Sequence, residues 1–267
     1  MASAGRPLSI VSALIIFAMS LAAFAQDYAR EKRWADEITP AVVVGDPVWL
    51  ALAGGHKFLN LLAEANGAKA AIVLVHGVGV HPDHGVIGIL RTKLNDLGYS
   101  TLSVQMPVAK SEGASVDDYY PALFPQAGER IAVATRFLQS KGYRDIVLAS
   151  HSMGAWMSNV HLSAASDPPY RAWVSMGLTG RFWDASLISI PWLDIEWFPG
   201  KLRLPILDVY GEMDLAPTLG SVRARANALT HIPRSEQVMI AGADHHYTGK
   251  EAELAAAIHR FIAKILQ

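Results

Sequence analysis

Five residues, Ser150-His151-Ser152-Met153-Gly154, set the tightest constraint on what this chain can fold into. Before them lies the apolar run Asp145-Ile146-Val147-Leu148-Ala149. After them comes Ala155-Trp156-Met157-Ser158-Asn159-Val160-His161-Leu162, which suits a helix. A strand must therefore reverse into a helix within a single sharp turn. Such a turn crowds the backbone and demands small residues at both flanks. A serine at its apex is lifted clear of the sheet as a nucleophile elbow. The usual spacing is G-x-S-x-G. Here Ser150 stands in place of the first glycine, so the pattern reads S-x-S-x-G.

Three further segments give this turn its meaning. Upstream, Ala70-Ala71-Ile72-Val73-Leu74-Val75 predicts a buried strand. It runs into His76-Gly77-Val78-Gly79. A strand followed by H-G-x-G is placed to lend a backbone N–H, here that of Val78, to an oxyanion hole. The residue after the serine, Met153, supplies the other. Downstream, Ile206-Leu207-Asp208-Val209-Tyr210-Gly211 predicts a strand with Asp214 just past its end. Val238-Met239-Ile240-Ala241 predicts another, leading into Gly242-Ala243-Asp244-His245-His246.

With Ser152, Asp214 and His245 in that order, the chain resembles the α/β-hydrolase superfamily of serine hydrolases from about residue 42 to 267. It also resembles exported bacterial members that have no assigned activity. The resemblance implies a mostly parallel central sheet with helices on both faces, antiparallel strands at the N-terminal edge and a small apolar cap insert. It implies Ser152 as nucleophile, His245 as general base and Asp214 as the carboxylate that orients the imidazole, with no cofactor and no metal. His76, Gly77 and His151 are candidate substrate contacts beside them.

Three rivals stand against these assignments. Ser150 is a second serine, nearer the strand end, whose side chain is expected to point into the fold. Asp208 is a second acid, but it lies inside a strand run and is less free to meet a loop histidine. His246 is the rival base. The family pattern of Gly, small residue, Asp and His matches Gly242-Ala243-Asp244-His245, yet a slip of one residue exchanges the two histidines, and the sequence leaves both open. His81-Pro82-Asp83-His84 lies near His76, but its spacing matches no strong metal motif and Pro82 prevents a regular helix there.

Composition narrows the class. The apolar share is 51% of 267 residues, enough for one sizeable core and a single domain over residues 26–267. Lys plus Arg is 23 against 24 Asp plus Glu, which implies no basic face and no nucleic-acid partner. Cysteine is absent, so disulfides, thiol catalysis and thiolate metal sites are excluded. The reaction expected is hydrolysis of a carboxylic ester, with a small-molecule ester or acyl substrate. Thioesterase, amidase, peptidase and acyltransferase chemistry use the same triad. A non-catalytic hydrolase-like protein that binds an envelope partner would be expected to lack a triad member.

Along the chain, residues 26–40 read as a polar, irregular lead-in. Ala41–Val44, Val48–Leu52 and Lys57–Glu64 read as short strands. Helices are expected over Val86–Leu97, Gly128–Gln139, Ser221–Leu229 and Glu251–Ile265. Strands are expected at Ser100–Met106 and Ala172–Met176. Arg181–Gly200 breaks the alternation with an apolar, aromatic stretch that includes Trp183, Trp192 and Trp197. It reads as a cap lining an apolar substrate pocket.

The N-terminus carries Arg6, an apolar stretch from Leu8 to Phe24, and Ala23-Phe24-Ala25 before Gln26-Asp27. This reads as a signal peptide over residues 1–25, hence export to the periplasm or beyond, with no stable membrane span after processing. Mass spectrometry of the exported protein is expected to find Gln26 as the mature N-terminus. A chain that still carries residues 8–24 overturns the cleavage reading.

Overall fold

The computed structural model describes residues 26–110, 120–165, 167–178 and 202–267. Helix α1 (Tyr28–Ile38) precedes strands β1 (Asp46–Ala51), β2 (Lys57–Ala63) and β3 (Ala71–Val75). Helix α2 (Gly85–Asp96), strand β4 (Ser100–Val104) and helix α3 (Phe124–Ser140) follow. Then come β5 (Ile146–His151), α4 (Met153–Ser163), β6 (Ala172–Met176), β7 (Ile206–Met213), α5 (Ala216–Leu229), β8 (Glu236–Asp244) and α6 (Glu251–Ile265). The strands form one sheet in the order β1-β2-β4-β3-β5-β6-β7-β8. β1 pairs antiparallel with β2, and β2 antiparallel with β4. The pairings from β4 onward are parallel.

Parallel strands covered on both faces are apolar at every position, and β3 and β5 are buried throughout. Their alternate residues serve two cores. Val73, Val75, Ile146 and Leu148 pack with Ile131 and Leu138 of α3 and Trp156 and Leu162 of α4. Ile72, Leu74, Val147 and Ala149 pack with Ile87 and Leu90 of α2 and Ile258 and Phe261 of α6. The strand order reverses around β3: β4 lies on one side and β5 on the other. A crevice opens at the carboxyl ends of the strands wherever such a reversal occurs, and the loops after β3 and β5 face each other across it.

The N-terminal segment departs from the sequence expectation. Residues 26–40 are not an irregular lead-in but contain α1. The helix is capped by Asp27, whose carboxylate accepts the Arg30 N–H at 2.9 Å. Its inward face is polar at one key position. Glu31 is buried and receives a bidentate pair of bonds from Arg130 Nη1 and Nη2, each 2.9 Å, while Gln26 Nε2 donates to it at 2.5 Å. The guanidinium also lies 4.9 Å from the Phe58 ring centre. Ala41–Val44 is likewise not a strand. Thr39–Ala41 forms a 3-10 turn, and Val43 is 93% exposed.

Helices α3 and α5 begin earlier than the periodicity indicated. Both admit a proline in the first turn, where its missing N–H removes no helical bond. Residues 1–25, expected as the signal peptide, and the cap segment with Trp183, Trp192 and Trp197 lie outside the described residues. No helix among the described residues is long and apolar enough to cross a membrane.

Burial opposes ionisation of Glu31. The His56 hydrogen bond and the Arg130 charge outweigh it and hold the carboxyl below its ordinary value. Stability linked to Glu31 is therefore complete above the ordinary carboxylate range and is lost as pH falls through the lowered value. Glu31→Gln leaves Arg130 buried without its counter-charge. Thermal unfolding at neutral pH is expected to show a loss of about 3–5 kcal/mol. The gap to the wild type narrows as the medium is acidified.

Candidate active site

Six parallel strands end on the same side of the sheet, and the residues that follow five of them, β3, β5, β6, β7 and β8, meet there. Val75 pairs with Ser150, His151 with Met176, and Met176 with Val209. The register sets the end of β3 beside β5, β5 beside β6, and β6 beside β7. Ser152 follows β5, Gly177 follows β6, Asp214 follows β7 and His245 follows β8.

The turn at Ser152 is strained. Its φ of +56° and ψ of −124° place a residue with a side chain where L residues rarely sit. The Ser152 N–H donates to the Met176 carbonyl at 2.9 Å. Gly154 permits the tight approach to β3, since a Cβ there would lie 2.4 Å from the His76 carbonyl oxygen and 2.7 Å from that of Val75. Ser150, in place of the usual first glycine, points away from the crevice. It is fully buried, its Oγ accepts from Trp173 Nε1 at 2.7 Å, and it lies on the α3–α4 face.

His245 Nε2 lies 2.9 Å from Ser152 Oγ, and His245 Nδ1 lies 2.6 Å from Asp214 Oδ1. A carboxylate only accepts, so Nδ1 carries the proton and Nε2 is left to accept from the hydroxyl. Asp214 Oδ2 also accepts the Gly211 N–H at 3.1 Å, and Oδ1 the Leu215 N–H at 2.8 Å. Burial works against the Asp214 charge, but these hydrogen bonds and the His245 contact hold the carboxyl below its ordinary value. The arrangement can activate a hydroxyl. The imidazole takes its proton, and an ionised carboxylate faces the imidazolium that forms.

The rivals are placed elsewhere. Asp208 is buried against Arg225 Nε, at 3.1 and 2.9 Å from its two oxygens, and takes a further bond from Gln237 Nε2 at 2.8 Å. His246 is exposed, and its backbone N–H donates to Asp244 Oδ1 at 3.0 Å. Asp83 is held by Arg91 through Nε at 3.1 Å and Nη2 at 2.6 Å, within the segment weighed for metal. No group of three or more metal-ligating side chains gathers among the described residues.

Val78 sits on the loop after β3, and Met153 opens helix α4 across the crevice from it. Neither amide has a hydrogen-bond partner among the described residues. The loops approach closely, since a Cβ on Gly77 would lie 3.3 Å from Ser152 Cβ. His76 shapes this loop from beneath instead of offering an atom to a ligand. It is 1% exposed, Nδ1 donates to the Gly77 carbonyl at 2.9 Å, and Nε2 accepts the Met106 N–H at 2.9 Å. Burial pushes it down to about 3, so it stays neutral. His151 is also buried, with Nε2 2.8 Å from the His245 carbonyl oxygen. Trp183, Trp192 and Trp197 lie outside the described residues.

Two contributors were not found from sequence. The Tyr120 hydroxyl accepts the Gly79 N–H at 2.7 Å and anchors the loop after β3. Nothing in its neighbourhood in sequence signals that contact. Gly177 (φ +60°) makes room for the His245 ring: a Cβ there would lie 3.0 Å from His245 Cε1 and 3.1 Å from Nδ1. Its signal was a glycine placed directly after the Ala172–Met176 strand.

The chain has the α/β-hydrolase fold, as comparison with solved structures shows. Est1E from Butyrivibrio proteoclasticus matches with a TM-score of 0.61 at 17% identity, over 82% of this chain and 98% of that one. An α/β serine hydrolase without a lid from Xanthomonas campestris matches at 0.60 and 14% identity, over 84% and 95%. An esterase from Pyrococcus furiosus matches at 0.62 and 15% identity, over 83% and 91%. A family profile described as a protein of unknown function, DUF3530, matches residues 8–122, less than half of the chain. No curated protein sequence matches.

Gly154→Ala forces a methyl group into two backbone carbonyls that have nowhere to go. Overpacking of this kind costs about 1–3 kcal/mol or more. A lowered melting temperature is expected for the purified variant. An unchanged one would show that the β3–α4 contact is looser than described.

Proposed function

We propose that the protein is a serine hydrolase that cleaves carboxylic esters outside the cytoplasm, through an acyl-Ser152 intermediate. The observation that carries this reading is the unbroken sequence of hydrogen bonds from Ser152 Oγ to His245 to Asp214, at 2.9 and 2.6 Å, on a strained strand-to-helix turn. Ser152 Oγ attacks the carbonyl carbon while His245 Nε2 takes its proton. The N–H groups of Val78 and Met153 receive the oxyanion. His245 returns the proton to the leaving alkoxide, and an alcohol departs. A water molecule then attacks the acyl-serine by the same route, releasing the acid and restoring the serine hydroxyl.

The ester preference draws support from two similar folds, one named an esterase and one Est1E. Thioesters and amides fit the same chemistry. Met213 and Leu215, 63% and 48% exposed on either side of Asp214, give the rim apolar surface suited to a carbon-rich acyl or alkoxy group. The export reading rests on the residues before Gln26 and is part of the same proposal.

A fluorophosphonate probe tests the nucleophile. Labelling is expected for the wild type and for Ser150→Ala, and none for Ser152→Ala. Turnover of p-nitrophenyl acetate is expected to fall by about 10³-fold or more in Ser152→Ala. Labelling that survives Ser152→Ala, or vanishes in Ser150→Ala with the fold intact, overturns the assignment. A wild type that hydrolyses p-nitrophenyl thioesters or anilides but no ester overturns the substrate class.

A further inference from the structure

We infer that His151, the residue beside the nucleophile, is a positioning residue for the base: its Nε2–H grips the His245 backbone carbonyl and fixes the imidazole against Ser152. This inference rests on the serine-hydrolase reading above.

The direction in which His151 points follows from strand parity. Along β5, Val147 and Ala149 face the α2–α6 core, whereas Ile146 and Leu148 face the α3–α4 core. Ser150 continues the second series and reaches Trp173. His151 continues the first and points toward the segment between β8 and α6, which carries His245. Gly177, at φ +60°, leaves room beside the His245 ring, since a Cβ there would press on Cε1 at 3.0 Å and Nδ1 at 3.1 Å. The two imidazoles come to 4.9 Å between ring centres, tilted by 43°.

The bond is directional. A carbonyl only accepts, so Nε2 of His151 must carry a proton at 2.8 Å from the His245 oxygen. Burial, with the adjacent His245 second, pushes His151 down to about 3 and keeps the ring neutral. A neutral ring with its one proton on Nε2 cannot also donate from Nδ1. Nδ1 is then an acceptor only, and it is His245 Nε2, not His151, that lies at 2.9 Å from Ser152 Oγ.

The base segment needs this grip because its other ties lie off to the side. Asp244 Oδ1 accepts the His246 and Thr248 N–H groups at 3.0 and 2.9 Å, at the exposed rim. Tyr247, in a left-handed conformation (φ +56°), anchors the far side through its hydroxyl to the Val209 carbonyl at 3.0 Å. Asp214 holds the His245 ring, not its backbone. Among the described residues, only His151 hydrogen-bonds to the His245 carbonyl. The turn that presents the nucleophile thus also holds the base, so the Ser152–His245 distance is set by adjacent residues of one strand end. A misplacement of about 1 Å at such a contact costs about a hundredfold in rate.

The test compares full-length mature protein carrying His151→Phe, which keeps a buried ring but has no donor, with His151→Gln, whose amide N–H reaches the same carbonyl. Three readouts are taken: steady-state hydrolysis of p-nitrophenyl acetate, the rate of fluorophosphonate labelling, and NMR of the histidine ring protons and nitrogens. His151→Phe is expected to lower kcat and the labelling rate about tenfold to a hundredfold, with KM little changed. The far-downfield proton of the His245–Asp214 bond is expected to shift or broaden. His151→Gln is expected to recover most of both.

Wild-type kcat and an unmoved proton signal in His151→Phe overturn the inference. So does a His151→Gln variant as impaired as His151→Phe, since a packing role alone would then suffice. In the wild type, ¹⁵N shifts must report the Nε2–H tautomer of His151, and the Nδ1–H form overturns the inference without any variant. A wild type that takes no label while showing the expected proton and tautomer signals overturns the serine-hydrolase reading alone.

Discussion

Ser152 sits at φ +56° and ψ −124°, a conformation that costs a residue with a side chain about 1–3 kcal/mol. The geometry of the site depends on that turn being unable to relax. Its N–H is tied to the Met176 carbonyl, and its own carbonyl accepts the Ala155 N–H, both at 2.9 Å. The backbone at Gly154 is wedged against the carbonyls of Val75 and His76. Behind it, β5 is buried along its whole length and paired on both sides. The strain is borne by the packed sheet, and a hydroxyl stands out from the strand ends as a result.

The two buried carboxylates near β7 show how burial alone does not decide a role. Asp208 meets the guanidinium of Arg225 in a buried ion pair, 2.9 Å from Nε, so its charge faces a full opposite charge. Among the described residues, Asp214 meets the backbone N–H groups of Gly211 and Leu215 and the His245 imidazole, with no guanidinium or ammonium bonded to it. Its negative charge is solvated by fixed dipoles but not cancelled. An imidazolium formed at His245 would meet that uncancelled charge at once, without reorganisation of the surroundings. Arg225 at the same place would forfeit this effect.

What could be read from the residues follows the same physics. The strand-turn-helix around Ser152, the order of Ser152, Asp214 and His245, and the long apolar runs of β3 and β5 are local patterns, and sequence carries them directly. Helix α1 escaped because its most buried polar residue, Glu31, is satisfied by Arg130 almost a hundred residues away, and a charged residue on an inward face looks like solvent exposure. Ala41–Val44 has the β-branched residues that favour sheets, yet the pairing of β1 with β2 begins only at Asp46, and among the described residues no strand pairs with residues 41–44. The choice between His245 and His246 had no local answer. It is made by the ends of β5, β6 and β7, through His151, Gly177 and Asp214.

The same long-range logic joins α1 to the site. Arg130, held by Glu31, also donates through Nη1 to the Gln105 carbonyl at 2.9 Å. The next residue, Met106, donates its N–H to His76 Nε2, which fixes the tautomer in which Nδ1–H closes on the Gly77 carbonyl. Gly77 in turn lies against Ser152. Each link is a buried polar group whose partner leaves it one permitted orientation, so the loop that carries the Val78 amide has little freedom of its own. The first helix of the described chain is therefore part of the support for the loop opposite Ser152, even though α1 packs against Leu59 and Leu61 of β2, among the antiparallel strands at the N-terminal edge of the sheet.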